Sequence, residues 1–241
     1  MLLKYNQVRK RIHIIRVLLF PAVFLFCVPM LHSCEHSTFA MAFTEETVFV
    51  LDAGHGGEDC GAIGSNGIYE KDLNFDIAME LGRQLSDMGY AVVYTRTEDR
   101  LLYTEDENIK GLRKIYDLKN RAKVAQKYSN AVFVSLHMNS FSDARYSGLQ
   151  VFYSDKNENS RSLADSIQRH VKEQLQPQNN RSIRSGNGLY LMDNLECAAI
   201  LIECGFISNL EECEKLCEKE YQKQLCFAIL CGIMDANEIK S

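Results

Sequence analysis

Proline is scarce in this chain of 241 residues. Only three prolines occur, and two of them, Pro21 and Pro29, lie in an apolar run near the N-terminus. The sequence also contains no internal repeat and no low-complexity tract. These absences argue against a Pro-rich linker and a repeat architecture. The length therefore favours one domain with a large buried core.

An excess of positive charge is absent from most of the chain. Of the 27 Lys and Arg and 32 Asp and Glu, residues 1–42 hold five basic and one acidic, which leaves the remainder with a net charge of −9. A nucleic-acid-binding domain needs a basic surface to neutralise phosphates. We therefore expect no nucleic acid partner and no simple electrostatic adhesion to anionic polymers.

Paired-cysteine motifs are also missing. The chain has nine cysteines, seven of them after residue 42, and no C-x-x-C pair. An odd number does not fit a complete disulfide framework. We expect these cysteines to act as small buried hydrophobes, and an exported protein rich in thiols fits a poorly oxidising compartment.

The N-terminus has the organisation of an export signal. Basic residues between Lys4 and Arg16 precede an apolar run at 17–31, and Ala40 and Ala42 offer a small-x-small cleavage site. The run is short for a membrane span, which needs about 20 apolar residues. We predict that residues 1–42 form a signal peptide, with an uncleaved membrane anchor or lipoprotein processing at 31–34 as alternatives. Either outcome places the protein outside the cytoplasm, secreted or held on the outer face of the cytoplasmic membrane.

Short apolar runs alternate with helical periodicities through the rest of the chain. Strands are predicted at 48–51, 91–95, 131–136, 149–153, 189–192 and 199–202. Helices are predicted at 72–88, 112–128, 163–175 and, as one or two elements, 210–236, with loops at 96–110 and 176–187. This alternation predicts a single α/β domain at 47–236. Its mixed, mostly parallel sheet would have about six strands and helices on both faces.

Four metal-binding or acid–base side chains fall at the ends of these elements. His55 lies in a Gly-rich turn after the first strand, His137 and Glu203 end two later strands, and Glu70 lies just before a helix. Ligands of open α/β sheets bind at strand ends. Two histidines and one carboxylate are a common catalytic zinc set, and the other carboxylate is then available as a general base.

Simpler interpretations of the carboxylates stay open from the residues alone. Glu70 is also explained as a first-turn acid that interacts favourably with the helix dipole. Glu203 follows four apolar residues, where a buried acid needs either a function or a cationic partner.

The ordered motifs around these residues resemble the zinc-dependent N-acetylmuramoyl-L-alanine amidases, a family of peptidoglycan hydrolases. The resemblance spans about residues 47–233 and is most similar to the small spore-cortex and germination-associated members. The matching segments are D-A-G-H-G-G-E-D-C-G-A at Asp52, G-I-Y-E-K-D-L-N at Gly67, Y-T-R-T-E-D at Tyr94, S-L-H-M-N-S at Ser135, G-L-Q-V-F-Y at Gly148 and L-I-E-C-G-F-I-S-N at Leu201.

The resemblance implies a specific site and reaction. His55, Glu70 and His137 would bind Zn²⁺, and Glu203 would be the catalytic carboxylate. The substrate would be a peptidoglycan glycan strand with its stem peptide, cut between N-acetylmuramic acid and L-alanine. By analogy with the spore-cortex members, the enzyme would act in muramic-lactam formation by removing whole stem peptides, and would depend on an activating protein partner.

Several supporting roles follow from the same match. Asn139 and Arg96 are candidates for substrate contact, although a turn asparagine or a structural ion pair also explains them. Arg121 matches a second arginine of the family with the same two interpretations. Either Asp52 or Asp59 could orient the His55 ring, because metal-bound histidines usually donate their other N–H to a carboxylate or carbonyl.

Three rival functions remain at this stage. A zinc peptidase acting within the stem peptide would expose a different new N-terminus. A non-catalytic peptidoglycan-binding protein would bind without forming product. A glycosidase using paired carboxylates would release reducing sugar and ignore chelators.

Overall fold

The computed structural model describes residues 47–238 of the chain, with side chains up to residue 236. The segment predicted as an export signal, residues 1–42, lies outside this range. The strands are β1 Val48–Ala53, β2 Ala91–Tyr94, β3 Ala131–Asn139, β4 Gln150–Tyr153, β5 Arg184–Ser185 and β6 Ala198–Phe206. The helices are α1 Glu70–Asp87, α2 Arg113–Ala125, α3 Glu158–Gln174, α4 Tyr190–Asn194, α5 Leu210–Cys217 and α6 Lys219–Glu238.

The six strands of the described region form one mixed sheet in the order β2-β1-β3-β6-β4-β5. Neighbouring strands are parallel except for β4 and β6, which pair antiparallel. The carboxyl ends of β1, β3 and β6 therefore meet at one edge. The predicted α/β class, the mostly parallel sheet and the count of six strands are confirmed.

Both faces of the sheet are covered because side chains of successive strand residues alternate between them. Phe49 and Leu51 of β1 pack in a core with buried side chains of α1, α3 and α6, whereas Val50 packs in a second core with α2 and α4. The four-residue spacing of Leu73, Ile77 and Leu81 in α1 gives that helix its buried face. Helices on both faces, as predicted, follow from this double burial.

The C-terminal end of helix α1 is set by a glycine. Gly89 has φ of +90°, and the amides of Gly89 and Tyr90 donate to the carbonyls of Ser86 and Leu85. This is a Schellman end, which needs a left-handed residue directly after the helix. The predicted stop of the helix at Gly89 is therefore confirmed. The start differs, because Glu70 is the first helical residue and does not precede the helix.

One predicted strand is wrong. Residues 189–192 belong largely to the short helix α4, Tyr190–Asn194, where Leu191 and Met192 are buried. The edge strand β5, Arg184–Ser185, instead comes from a segment predicted as loop. A run of four apolar residues does not distinguish a buried helical turn from a strand.

The predicted loop at 96–110 holds a 3₁₀ turn at Glu105–Glu107. Of the described helices, none has the length and apolar character needed to cross a bilayer.

Candidate metal centre

The carboxyl edge of the sheet brings the predicted polar residues together. His55 follows β1, and His137 and Glu203 occupy paired positions near the carboxyl ends of β3 and β6. Glu70 enters from the start of α1. Atoms of His55, Glu70 and His137 that can bind a metal all lie within 4.8 Å of one another.

A left-handed turn places the His55 side chain. His55 has φ of +62°, followed by Gly56 and Gly57 with φ of +141° and +56°. Positive φ is uncommon for residues with a Cβ and concentrates at functional sites, where the surrounding structure must hold it. Glycine adopts such positive φ values without steric cost. A Cβ at Gly56 would also lie only 2.4 Å from the carbonyl oxygen of Arg100.

Two buried arginines hold the turn through its carbonyl groups. Arg121 donates to the carbonyls of Ala53 and His55 at 2.8 and 2.7 Å and is ion-paired with Asp52 and Asp117. Arg96 is 3% exposed and donates to the carbonyls of Ala53, Gly54 and Lys71, among others.

These contacts favour the structural interpretation of Arg96 over a contact with substrate. Its guanidinium is buried and already donates to main-chain carbonyl groups, so it positions the His55 turn. The same holds for Arg121, where the structural interpretation is the one that fits.

Glu70 is fixed from several sides. The amides of Ala62 and Met138 donate to Oε2 and Oε1 at 2.9 and 3.1 Å. Asn74, one helical turn further along α1, donates to Oε1 at 3.3 Å and to the Gly54 carbonyl at 3.1 Å. The Glu70 carboxylate is 5% exposed. An acid that only interacts with the helix dipole does not need this many hydrogen bonds, so the dipole does not explain the position of Glu70.

One carboxylate oxygen faces both imidazoles. Glu70 Oε1 lies 3.2 Å from His55 Nε2 and 3.0 Å from His137 Nδ1. Four-coordinate zinc with bonds of about 2.0–2.1 Å places its ligand atoms about 3.3–3.4 Å apart. The donor set and its spacing therefore fit a divalent metal such as zinc.

The charges of the cluster favour a cation. Burial alone would lower the pKa of His55, but Asp59 and Glu70 outweigh it and raise that pKa to about 9. Burial would likewise raise the pKa of Glu70, yet His137 and His55 hold it well below its usual range. Ionised carboxylates and basic imidazoles can exchange bound protons for a metal ion.

The open choice between two orienting aspartates is settled by distance. Asp59 Oδ2 lies 2.9 Å from His55 Nδ1, on the side of the ring away from Glu70. Asp52 instead accepts from Thr95, Ser135 and Arg121 beneath the turn. Asp59 is thus the residue placed to orient the His55 ring.

Glu203 differs from the other carboxylates of the site. Its side chain stands beside His137 across the β3–β6 pair, and its Oε2 atom is buried without a hydrogen-bond partner among the described residues. Burial and the nearby Glu70 charge raise its pKa, against the opposing effects of His137, His55 and Arg181. A basic, unpartnered carboxylate beside a metal-binding cluster is suited to accept and return a proton.

Two residues complete the comparison with the sequence. Asn139 is half-buried at the end of β3, and an irregularity in the pairing of β3 and β6 separates its register from that of His137. Its contact with substrate stays a prediction. Asn74 was missed, although a polar residue beside Leu73 on the apolar face of a predicted helix, four residues after Glu70, was a usable signal.

The described cysteines are all free thiols. Cys204, Cys213 and Cys226 are buried, as expected for small hydrophobic residues. Cys204, the neighbour of Glu203, packs in the opposite direction within the core, and burial raises its pKa well above the usual thiol range. It is therefore not placed to act as a nucleophile.

Sequence comparison identifies relatives over nearly the whole described region. The model of the family described as N-acetylmuramoyl-L-alanine amidase (Amidase_3) matches residues 49–235. The chain is 33% identical over 187 residues to the germination-specific N-acetylmuramoyl-L-alanine amidase of Bacillus subtilis (strain 168), covering 78% of each. It is also 34% identical over 190 residues to the uncharacterized protein YqiI of the same organism, covering 78% of this chain and 83% of that protein.

Solved structures show the same architecture. The CwlD amidase from Clostridioides difficile, solved in complex with the GerS lipoprotein, superposes with a TM-score of 0.76 at 36% identity, covering 80% of this chain and 99% of that one. The N-acetylmuramoyl-L-alanine amidase AmiC2 of Nostoc punctiforme gives a TM-score of 0.68 at 28% identity, covering 79% and 96%.

Proposed function

Because this chain belongs to the N-acetylmuramoyl-L-alanine amidase family, we propose that it is a zinc-dependent peptidoglycan amidase with Glu203 as its acid–base residue. The bond cut joins the lactyl carboxyl of N-acetylmuramic acid to the nitrogen of L-alanine. The observation that carries the proposal is the buried, unpartnered Oε2 of Glu203 beside the cluster of His55, Glu70 and His137.

The proposed metal site uses the three clustered side chains as ligands. When bound there, zinc supplies a Lewis acid for the amide carbonyl and lowers the pKa of a bound water. Asp59 holds the His55 ring in the orientation that directs Nε2 toward Glu70. Arg96 and Arg121 donate to carbonyl groups of the turn and so stabilise the positive-φ conformation that places His55.

Glu203 moves the proton in this mechanism. Its carboxylate takes a proton from the attacking water and delivers it to the alanine nitrogen as the amide bond breaks. The raised pKa of Glu203 helps the first half of this transfer, because it makes the carboxylate a better base than a solvated glutamate.

A pair of histidine variants tests the ligand set. His137→Ala should lose bound zinc and amidase activity together, because it removes one of three donors. His170→Ala is the matched control, since His170 lies on α3 near Asp235 and away from the cluster. Elemental analysis after dialysis measures the zinc. Full zinc occupancy in His137→Ala would overturn the assignment.

The cellular setting is part of the proposal. Residues 1–42 would direct the protein out of the cytoplasm or anchor it to the membrane, and residues 47–236 would form the amidase domain. Relatives include a germination-specific amidase and the CwlD amidase solved with a lipoprotein. We therefore propose action on spore-cortex peptidoglycan in muramic-lactam formation, assisted by a protein partner.

Purified substrate tests this setting. The isolated protein should remove whole stem peptides from cortex-type peptidoglycan slowly, and an activating partner should increase the rate. Full activity of the isolated protein on that substrate would argue against a partner requirement.

A further inference from the structure

A row of polar side chains crosses the sheet through Glu203. His137 pairs with Glu203 in the parallel register of β3 and β6, and Gln150 lies opposite Glu203 in the antiparallel register of β4 and β6. Side chains at paired positions share one face of a sheet. Gln150 is therefore the neighbour of Glu203 on the side away from the metal cluster.

Arg181 continues this row beyond Gln150. Its Nη2 donates to Gln150 Oε1 at 2.7 Å, and its guanidinium lies 4.7 Å from the centre of the Phe206 ring. Nε2 of Gln150 donates to the Ser182 carbonyl at 2.7 Å, so both ends of the Gln150 amide are held by hydrogen bonds. Stacking and the bond to Gln150 together hold the planar guanidinium in one orientation.

Among residues 47–236, the charge of Arg181 has no dedicated counter-ion. Within residues 47–236, no carboxylate lies at ion-pair distance from this half-buried side chain, and its Nε finds no hydrogen-bond partner. Glu212 is the other nearby acid, but its carboxylate accepts from the amides of Gly148 and Phe206. Nε is buried, so the donor of Arg181 that the residues at 47–236 leave unused is Nη1.

This separates Arg181 from the other two arginines near the site. Arg96 and Arg121 are almost completely buried, and the carbonyl groups and aspartates around them take up their donors. Arg181 instead lies beside Gln150, the cross-strand neighbour of Glu203, and its charge contributes to the electrostatics of that carboxylate.

The spacing matches the substrate. Adjacent strands lie about 4.8 Å apart, so the row from Glu203 through Gln150 to Arg181 spans roughly 5–10 Å. One residue of extended peptide covers about 3.5 Å. A stem peptide that has its alanine nitrogen at Glu203 and runs along this row would bring the carboxylate of the residue after alanine near Arg181.

We propose that Arg181, held by Gln150 and Phe206, binds the free carboxylate of the second stem-peptide residue and selects substrates that carry it. The proposal rests on the amidase function proposed above. It names a substrate-binding residue for the same reaction, and the chemistry is that of a guanidinium meeting a carboxylate with charge-assisted hydrogen bonds.

Matched substrates test the proposal. Muropeptides with a free α-carboxylate on the glutamate after alanine are compared with the same muropeptides amidated there. The wild-type protein should prefer the acid by about 10- to 100-fold in kcat/KM, mainly through KM. Arg181→Ala should remove this preference by weakening the acid alone, and Arg181→Lys should keep part of it. Arg184→Ala, an exposed arginine on β5, is the control that should retain the preference.

The outcomes separate the two proposals. Equal wild-type rates on both substrates, or an equal loss on both in Arg181→Ala with a shifted pH–rate profile, would refute the carboxylate site while the amidase function stands. Release of alanine N-termini from neither substrate would refute the amidase function itself. Binding of the released stem peptide to the wild-type protein, acid against amide, gives the same discrimination without turnover and without any variant.

Discussion

Gly54→Ala should separate metal binding from folding. Gly54 precedes His55 and has no positive φ, so its backbone accepts alanine. The new Cβ, however, would lie 2.2 and 2.3 Å from Cε1 and Nε2 of His137. Carbon atoms in contact normally stand about 3.5–4.0 Å apart, so the imidazole must retreat by more than about 1 Å.

A displacement of that size is large for a metal ligand. Metal–ligand distances tolerate only about 0.2 Å of error, and losing a residue that merely orients a ligand costs about 10- to 100-fold in affinity. We expect zinc to bind Gly54→Ala at least about 100-fold more weakly, near 2.7 kcal/mol. The His137 side chain is 21% exposed and can rotate outward, so the protein should still fold.

Competition against a zinc-binding dye measures the affinity, and urea unfolding of the metal-free protein measures the stability. Gly82→Ala is the matched control, because its Cβ would lie 2.0 Å from the Tyr94 hydroxyl, away from the cluster. It should lower stability by about 1–3 kcal/mol and keep zinc. Normal zinc affinity in Gly54→Ala would show that His137 is not a ligand in the position described.

Four further predictions concern other parts of the site and core. Glu203→Gln should keep zinc while kcat falls by about 10²- to 10⁴-fold, measured by alanine release; loss of zinc would contradict its assignment as the acid–base residue. Burial alone would raise the pKa of Asp52, but Arg121 and two hydroxyl groups lower it below its usual value. The ionised Asp52 therefore contributes fully to stability at neutral pH, and this contribution should be lost as pH falls below about 4. Arg121→Ala should cost about 3–5 kcal/mol in urea unfolding at pH 7, and a cost below 1 kcal/mol would refute the buried network. In the native protein iodoacetamide should label half-exposed Cys60 well before buried Cys204, and equal labelling rates would contradict the described core.

The sheet and its polar edge follow from local patterns. Apolar runs ending at His137 and Glu203 mark strands whose carboxyl ends must meet if the sheet is parallel, and the four-residue spacing in α1 fixes its buried face. Each of these signals spans only a few residues of the chain. The α/β class, the parallel arrangement and the approach of His55 to Glu70 were therefore predictable.

The features that the sequence did not predict depend on contacts between distant parts of the chain. The burial of Arg96 depends on carbonyl groups of β1 and α1, which lie more than twenty residues away. Helix α4 forms where a short apolar run covers the second core, which periodicity alone does not show. Arg181 comes from a segment predicted as loop, and only the β4–β6 register brings it next to Glu203.

The most direct measurement is an end-group analysis of peptidoglycan digested by the purified protein, with zinc and with a chelator. We expect new N-terminal alanine in step with released stem peptides, no new reducing sugar, and loss of the alanine signal under chelation. A different new N-terminus, new reducing ends, or alanine release that persists after complete removal of zinc would contradict it.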